Sequence, residues 1–163
     1  MKKTISILLV VLMAVSLLAG CGGSKGSETK YDTFTFEELT FKVPQSLKLK
    51  ESSIDGYDFY LEGDDVIIIA SGYLKSDIED LGYSIEEVKE VAFEDLDEAP
   101  SKVGITDTSS YHNSVEDQTF FYTYSFVEGK DKVYDVHMAC PESEESKYKD
   151  VIYDIISKIE VAK

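Results

Sequence analysis

The chain has 163 residues, of which 43% are apolar and 29% charged, with 16 lysines, no arginine and 32 acidic residues. This length fits one domain, and 8 phenylalanines with 11 tyrosines supply enough apolar surface for a packed core, which excludes a disordered acidic chain. The formal charge of -16 excludes nucleic acid as a partner, because phosphate binding needs clustered cations and base recognition favours arginine.

The first twenty residues have the pattern of a secretory signal peptide. Lys2 and Lys3 form a cationic head, and an apolar run extends from Ile5 to Leu18. The run is shorter than the roughly 20 residues that a membrane-spanning helix needs. Residues 1–20 are therefore predicted to direct export and to be removed.

The residues that end this segment, Leu18-Ala19-Gly20-Cys21, resemble the lipobox of bacterial lipoproteins. The resemblance implies cleavage before Cys21 and transfer of a diacylglycerol to its thiol. Two acyl chains anchor a protein stably, because each buried methylene contributes about 0.8 kcal/mol and one chain alone is marginal. We therefore predict a lipid-anchored protein at the extracytoplasmic face of the cell membrane. The arginine-free composition fits a Gram-positive source.

A small and polar segment, residues 21–32, is predicted to be a flexible tether. Residues 33–163 are predicted to form a single α+β domain. Cys140 is the one cysteine of that domain, so an internal disulfide is impossible. It ends an alternating strand on the side of Val136 and Met138, which favours a buried thiol over a catalytic nucleophile.

The predicted elements follow one another as short strands, a helix, a long hairpin and a final helix. Strands are predicted at 33–36, 39–43, 57–61, 66–71, 103–112, 118–126 and 133–140. The run Val-Ile-Ile-Ile at 66–69 has no polar face, so this strand is expected to be covered on both sides. Ser84 and Glu87 form a capping box for a helix over 85–96. An apolar stripe over 148–159 predicts a C-terminal helix.

This order of elements resembles the PsbP-like α/β/α sandwich, a family that includes the extrinsic photosystem protein PsbP. The resemblance depends on the element order and on Phe41-Lys42-Val43-Pro44 at the end of the second strand, and it covers residues 33–159. It implies an α+β fold with helices packed on a mostly antiparallel sheet. It also implies a domain that binds ligands or partners rather than one that catalyses a reaction. No residue matches a functional motif of these relatives, so fold similarity alone transfers no function.

Two groups of residues have side chains that could carry chemistry. The segment 106–112 contains the residue types of a hydrolase triad, including Asp107 and His112, but it lacks a motif that positions a serine. Asp135 and His137 share one side of a strand with Val133. Asp135 could orient the His137 ring, or the two residues could hold a metal. Zinc normally takes three or four ligands, so a histidine that serves the structure is favoured there.

Acidic clusters at 62–65, 77–80 and 94–98 offer oxygen ligands of the kind that calcium prefers. None has the spacing of an EF-hand, and we interpret them as solvated surface, with weak cation binding left open. The tyrosines could line a sugar- or peptide-binding groove, although tyrosine also suits the faces of sheets.

We predict a non-catalytic binding or accessory module that is monomeric and has no catalytic site, cofactor or metal. Its expected partners are the membrane, through the lipid on Cys21, and an extracytoplasmic protein or small ligand. The alternative is an extracytoplasmic enzyme or a cation-binding protein with a site around Asp135 and His137.

Overall fold

A computed structural model describes residues 29–96 and 98–162 of the chain. The strands in this part are β1 (Tyr31–Phe36), β2 (Leu39–Pro44), β3 (Lys50–Ser52), β4 (Phe59–Glu62), β5 (Ile67–Leu74), β6 (Ser101–Val103), β7 (Thr106–Val115), β8 (Gln118–Glu128), β9 (Lys132–Pro141) and β10 (Glu160–Val161). The helices are α1 (Lys75–Asp80), α2 (Ile85–Glu94) and α3 (Glu145–Ser157), and single turns of 3-10 helix lie at Gln45–Leu47 and Glu142–Glu144.

The strands form two antiparallel sheets. The larger sheet has the order β3-β4-β5-β9-β8-β7-β6, and the smaller one has the order β1-β2-β10. Helix α3 and the small sheet pack on one face of the large sheet, while α1 and α2 pack on the other. The predicted fold class is therefore confirmed: an α+β protein with a mostly antiparallel sheet and helices packed on it as an α/β/α sandwich.

The face of the large sheet that carries the main core is called here the α3 face. Alternate residues of β9 point into it, because successive side chains of a strand lie on opposite faces. The small sheet and α3 cover it with fully buried apolar side chains, which are Leu39, Phe41, Val43, Ile152, Ile155 and Ile156. Burying such a side chain contributes about 1.5–3 kcal/mol, so this layer is a major source of apolar stabilisation.

The opposite face, called here the α2 face, carries a smaller core of Ile78, Phe93, Tyr124, Phe126 and Val133. The rings of Phe93 in α2 and Tyr124 in β8 meet edge to face, with centroids 5.0 Å apart. The predicted capping box begins α2, because Glu87 Oε2 accepts from Ser84 N at 2.8 Å and Ser84 Oγ accepts from Glu87 N at 3.3 Å. The helix ends at Glu94, two residues before its predicted end.

Strand β5 corrects one expectation. It lies inside the large sheet, and Ile68 is fully buried on the α3 face, but Ile67 and Ile69 on the other face are only half-buried. The expected cover on both sides is wrong for that face, because α1 and α2 pack instead around Phe126 and Val133. Besides the two turns of 3-10 helix, four short elements were not predicted: α1, β3, β6 and β10.

The first strand begins at Tyr31, two residues before the predicted start of the domain. Tyr31 pairs with Pro44 in the β1–β2 ladder, and its hydroxyl donates to Asp154 Oδ2 at 2.9 Å. Both the backbone and the side chain of Tyr31 are therefore bound to the rest of the domain. The predicted signal peptide 1–20 and Cys21 lie outside the described residues. Within residues 29–96 and 98–162, no helix is long and apolar enough to cross a membrane.

Candidate functional site

Tyrosines cluster on the α2 face of the large sheet. The register places Tyr60, Ile69, His137 and Tyr124 side by side across β4, β5, β9 and β8. The next row of the same face holds Tyr122 of β8 beside its β7 neighbour. We call the following five residues the tyrosine patch: Tyr57, Tyr60, Tyr73, Tyr111 and Tyr122.

The tyrosine patch presents aromatic surface to solvent. The rings of Tyr111 and Tyr122 stack with centroids 5.2 Å apart and planes 11° apart. Burial raises the pKa of Tyr122, and the nearby phenol of Tyr57, in the loop from β3 to β4, raises it further. Tyr57 and Tyr73 are each 49% exposed. The arrangement is suited to stacking and to contacts with cations.

Asp135 lies on this face beside the patch, and its carboxylate is hydrogen bonded. Tyr124 Oη donates to Asp135 Oδ1. Burial raises the pKa of Asp135, while the bond from Tyr124 and the nearby His137 ring oppose the rise. Burial and the carboxylate also raise the pKa of Tyr124, so the phenol keeps its proton. Asp135 is the carboxylate of β9 next to His137, and its Oδ1 is thus occupied by the neutral phenol of Tyr124.

The His137 ring lies 5.0 Å from the Tyr124 ring, centroid to centroid. Burial lowers the pKa of His137 although Asp135 acts in the opposite direction, so the ring is neutral near pH 7. The predicted placement of Asp135 and His137 on one strand face is confirmed. In the part of the chain that the structure describes, no three His, Cys, Asp or Glu side chains come together as a metal site would require.

The structure separates the residues of the triad-like segment 106–112. Asp107 faces the α2 side, where Lys102 Nζ lies 2.9 Å from its carboxylate and Lys89 Nζ 3.7 Å. His112 faces the α3 side, and its Nε2 lies 2.8 Å from Glu145 Oε2. Strand alternation puts the two side chains on opposite faces, so they cannot act on one serine.

Cys140 lies on the α3 face and is 1% exposed, as its strand pattern predicted. Burial raises the pKa of its thiol to about 11, and the nearby carboxylates of Glu145 and Glu144 add to the rise. The thiolate, which is the nucleophilic form, is therefore disfavoured.

The carboxylates of the acidic clusters that the structure describes lie at or near the surface. The segment 77–80 forms most of α1, where Ile78 is its buried residue. In the segment 62–65, Asp65 Oδ2 accepts from Tyr148 Oη at 2.7 Å and lies 3.6 Å from Lys147 Nζ. A carboxylate engaged in this way ties the β4–β5 connection to α3.

Two clefts run beside α2. One of about 150 Å³ lies between α2 and the β6–β7 edge, where Lys89, Lys102 and Asp107 form an ion-pair network. The other, of about 310 Å³, is lined by residues of α2 and Pro100. Neither cleft is lined by Asp135 or His137. The sequence carried no signal for either, because both depend on how α2 docks on the sheet.

No protein-family model matches the sequence, and a comparison with curated proteins gives no match. Among solved structures, the chain is similar to a protein from Bacteroides thetaiotaomicron VPI-5482, with 14% identity and a TM-score of 0.57 over 82% of this chain and 49% of that one. The chain thus spans about half the length of that protein, and the similarity concerns the fold alone.

Two further solved structures are similar at lower scores. The cyanobacterial PsbP (CyanoP) of Synechocystis sp. PCC 6803 has 13% identity and a TM-score of 0.45 over 85% of this chain and 98% of that one. LpqN, which is involved in cell envelope biogenesis of Mycobacterium tuberculosis, has 12% identity and a TM-score of 0.37 over 85% and 87%.

Proposed function

We propose that the protein is a lipoprotein, anchored through Cys21 at the extracytoplasmic face of a Gram-positive cell membrane, and that it works there as a non-catalytic binding or accessory module. The support for the anchor is Leu18-Ala19-Gly20-Cys21 behind a cationic head and an apolar run. We also expect a monomer, because a formal charge of -16 opposes self-association.

The observation that favours binding over catalysis is the hydrogen bond from Tyr124 to Asp135. A general base needs a free carboxylate or imidazole within reach of a substrate proton, and a shaped, converging pocket around it. Here the carboxylate accepts from a phenol that keeps its proton, and the His137 ring packs against that same phenol. The open tyrosine patch beside them offers contact area instead.

The attachment of the tether suits a module that presents this patch. Strand β1 belongs to the small sheet, which packs on the α3 face, and Tyr31 at its start is bound to Asp154 of α3. The first strand of the domain therefore lies on the α3 side of the large sheet. The tyrosine patch lies on the opposite side, so the start of the domain at β1 leaves it uncovered.

The competing function is an enzyme or cation-binding protein that uses Asp135 and His137, since perturbed pKa values also occur at catalytic sites. We expect that a screen of hydrolase and transferase substrates finds no turnover that depends on these residues, and that Asp135→Asn and His137→Ala reduce stability modestly. Turnover by the wild type that either substitution abolishes, in a protein with an unchanged circular dichroism spectrum, would overturn the binding proposal.

A further inference from the structure

Two carboxylates flank an exposed tyrosine at the β5 side of the α2 face. Ser71 pairs with Asp135 in the β5–β9 ladder, and Asp58 precedes β4 and accepts from Gly72 N through Oδ2 at 3.3 Å. Tyr73 follows two residues after Ser71 and so points to the same face. Burial raises the pKa of Tyr73, and the charges of Asp135 and Asp58 raise it further, in agreement with this placement on one face.

We propose that Tyr73, Asp58 and Asp135 form a binding site for the ammonium or guanidinium groups of a basic peptide segment from an extracytoplasmic partner protein. The inference depends on the proposed function and names the ligand class of the tyrosine patch. Tyr57 is the other tyrosine of the patch that is 49% exposed, and it offers a second aromatic ring to the peptide.

The chemistry of these side chains matches a cation. The face of an aromatic ring attracts ammonium and guanidinium groups, and Tyr73 offers such a ring to solvent. Tyr124 occupies Asp135 Oδ1, and a carboxylate has a second oxygen that can accept hydrogen bonds. The formal charge of -16 attracts basic segments over a longer range and speeds their encounter.

The shape of the surface favours a peptide over a free organic cation. A small ligand needs a concave site that buries most of its surface, whereas this site lies on a sheet face with half-exposed tyrosines. An extended peptide can place successive side chains along such a face and distribute its contacts. The acidic surroundings also disfavour an anionic lipid surface as the occupant.

Binding can be followed directly in the full-length, detergent-solubilised protein, because it contains no tryptophan and its fluorescence comes from tyrosine. The probe is an acetylated and amidated lysine hexapeptide, compared with its Nε-acetylated, uncharged form. We expect the charged peptide to bind more tightly, and Tyr73→Ala and Asp58→Asn each to weaken binding about two- to fivefold.

Matched controls separate this site from general attraction to an acidic protein. Tyr83→Ala and Asp80→Asn make the same changes at exposed positions. Asp80 is the last residue of α1 and Tyr83 lies between α1 and α2, so we expect both variants to leave binding unchanged. The inference is wrong if Asp80→Asn weakens binding as much as Asp58→Asn, or if Tyr73→Ala has no effect. It is also wrong if a neutral chitin oligosaccharide binds better than the peptide and loses affinity in Tyr73→Ala. None of these outcomes bears on the proposed lipid anchor or on the expected absence of turnover. Intact mass spectrometry tests the anchor, and the substrate screen tests turnover.

Discussion

The Glu38 carboxylate joins the small sheet to the large one. Its Oε1 accepts from Tyr134 Oη at 3.0 Å and its Oε2 from Lys130 N at 3.0 Å, across the turn between β8 and β9. Gly129 in that turn makes the contact possible, because a Cβ there would lie 2.5 Å from Glu38 Oε1. A single charged side chain thus fixes the tip of the β1–β2 hairpin on the large sheet.

Glu38→Gln should destabilise the protein in a pH-dependent way. Burial alone would raise the pKa of Glu38, but the bonds from Lys130 and Tyr134 outweigh it and hold the pKa below the usual value of 4.5. A carboxyl with a lowered pKa stabilises the fold above its unfolded pKa, and this contribution is lost as the pH falls through the folded pKa. We expect a loss of about 1 kcal/mol at pH 7, measured by urea unfolding, and a difference that shrinks as the pH falls below 4.5.

The matched control for this prediction is Glu37→Gln in the same turn. Glu37 forms an exposed ion pair with Lys132, and such pairs contribute little. Equal losses of stability for the two variants, or a loss in Glu38→Gln that persists unchanged in acid, would contradict the role assigned to Glu38.

At the level of elements, α3 should contribute much more to stability than the outer surface of α2. Ile156 in α3 is fully buried in the main core, so Ile156→Ala removes apolar contacts and leaves a cavity. We expect it to lower the free energy of unfolding by about 3 kcal/mol. Val91→Ala in α2 truncates an apolar side chain that is 68% exposed and should change it by less than about 0.5 kcal/mol. Similar denaturation midpoints for the two variants would show that α3 is not part of the core.

The elements that the sequence predicted are those with a strong local pattern. Alternation in β8 and β9 assigned Cys140 and His137 to opposite faces, and the Ser84 capping box located the start of α2. The elements that it missed have weak local signals. Helix α1 has six residues and is held by the burial of Ile78, and β10 has two residues and exists through its pairing with β2. Such elements depend on non-local contacts, which one sequence does not reveal.

The same distinction applies to the candidate site. The period of two in a strand was sufficient to place Asp135 beside His137. The bond from Tyr124 to Asp135 required the register between β8 and β9, and the approach of Tyr57 required the path of a loop. The tyrosines were recognised in the sequence as a possible binding groove, but their grouping on one face is a property of the sheet order.

At the level of the whole molecule, the proposed function joins a lipid anchor at Cys21 to an acidic domain whose tyrosine patch lies on the α2 face. The charge of -16 makes attraction to anionic lipid headgroups unfavourable, so the proposed retention at the membrane depends on the lipid on Cys21. In the proposed function, Cys21 determines where the protein acts and the α2 face determines what it binds.

Intact mass spectrometry of the protein extracted from membranes of its native host tests the central claim most directly. The account predicts a chain that begins at Cys21, has lost residues 1–20 and carries the added mass of a diacylglycerol on that cysteine. A Cys21→Ala variant serves as the control and should yield no lipid-bearing species. Recovery of the unprocessed wild-type chain at 18.3 kDa, without added lipid, would contradict the account.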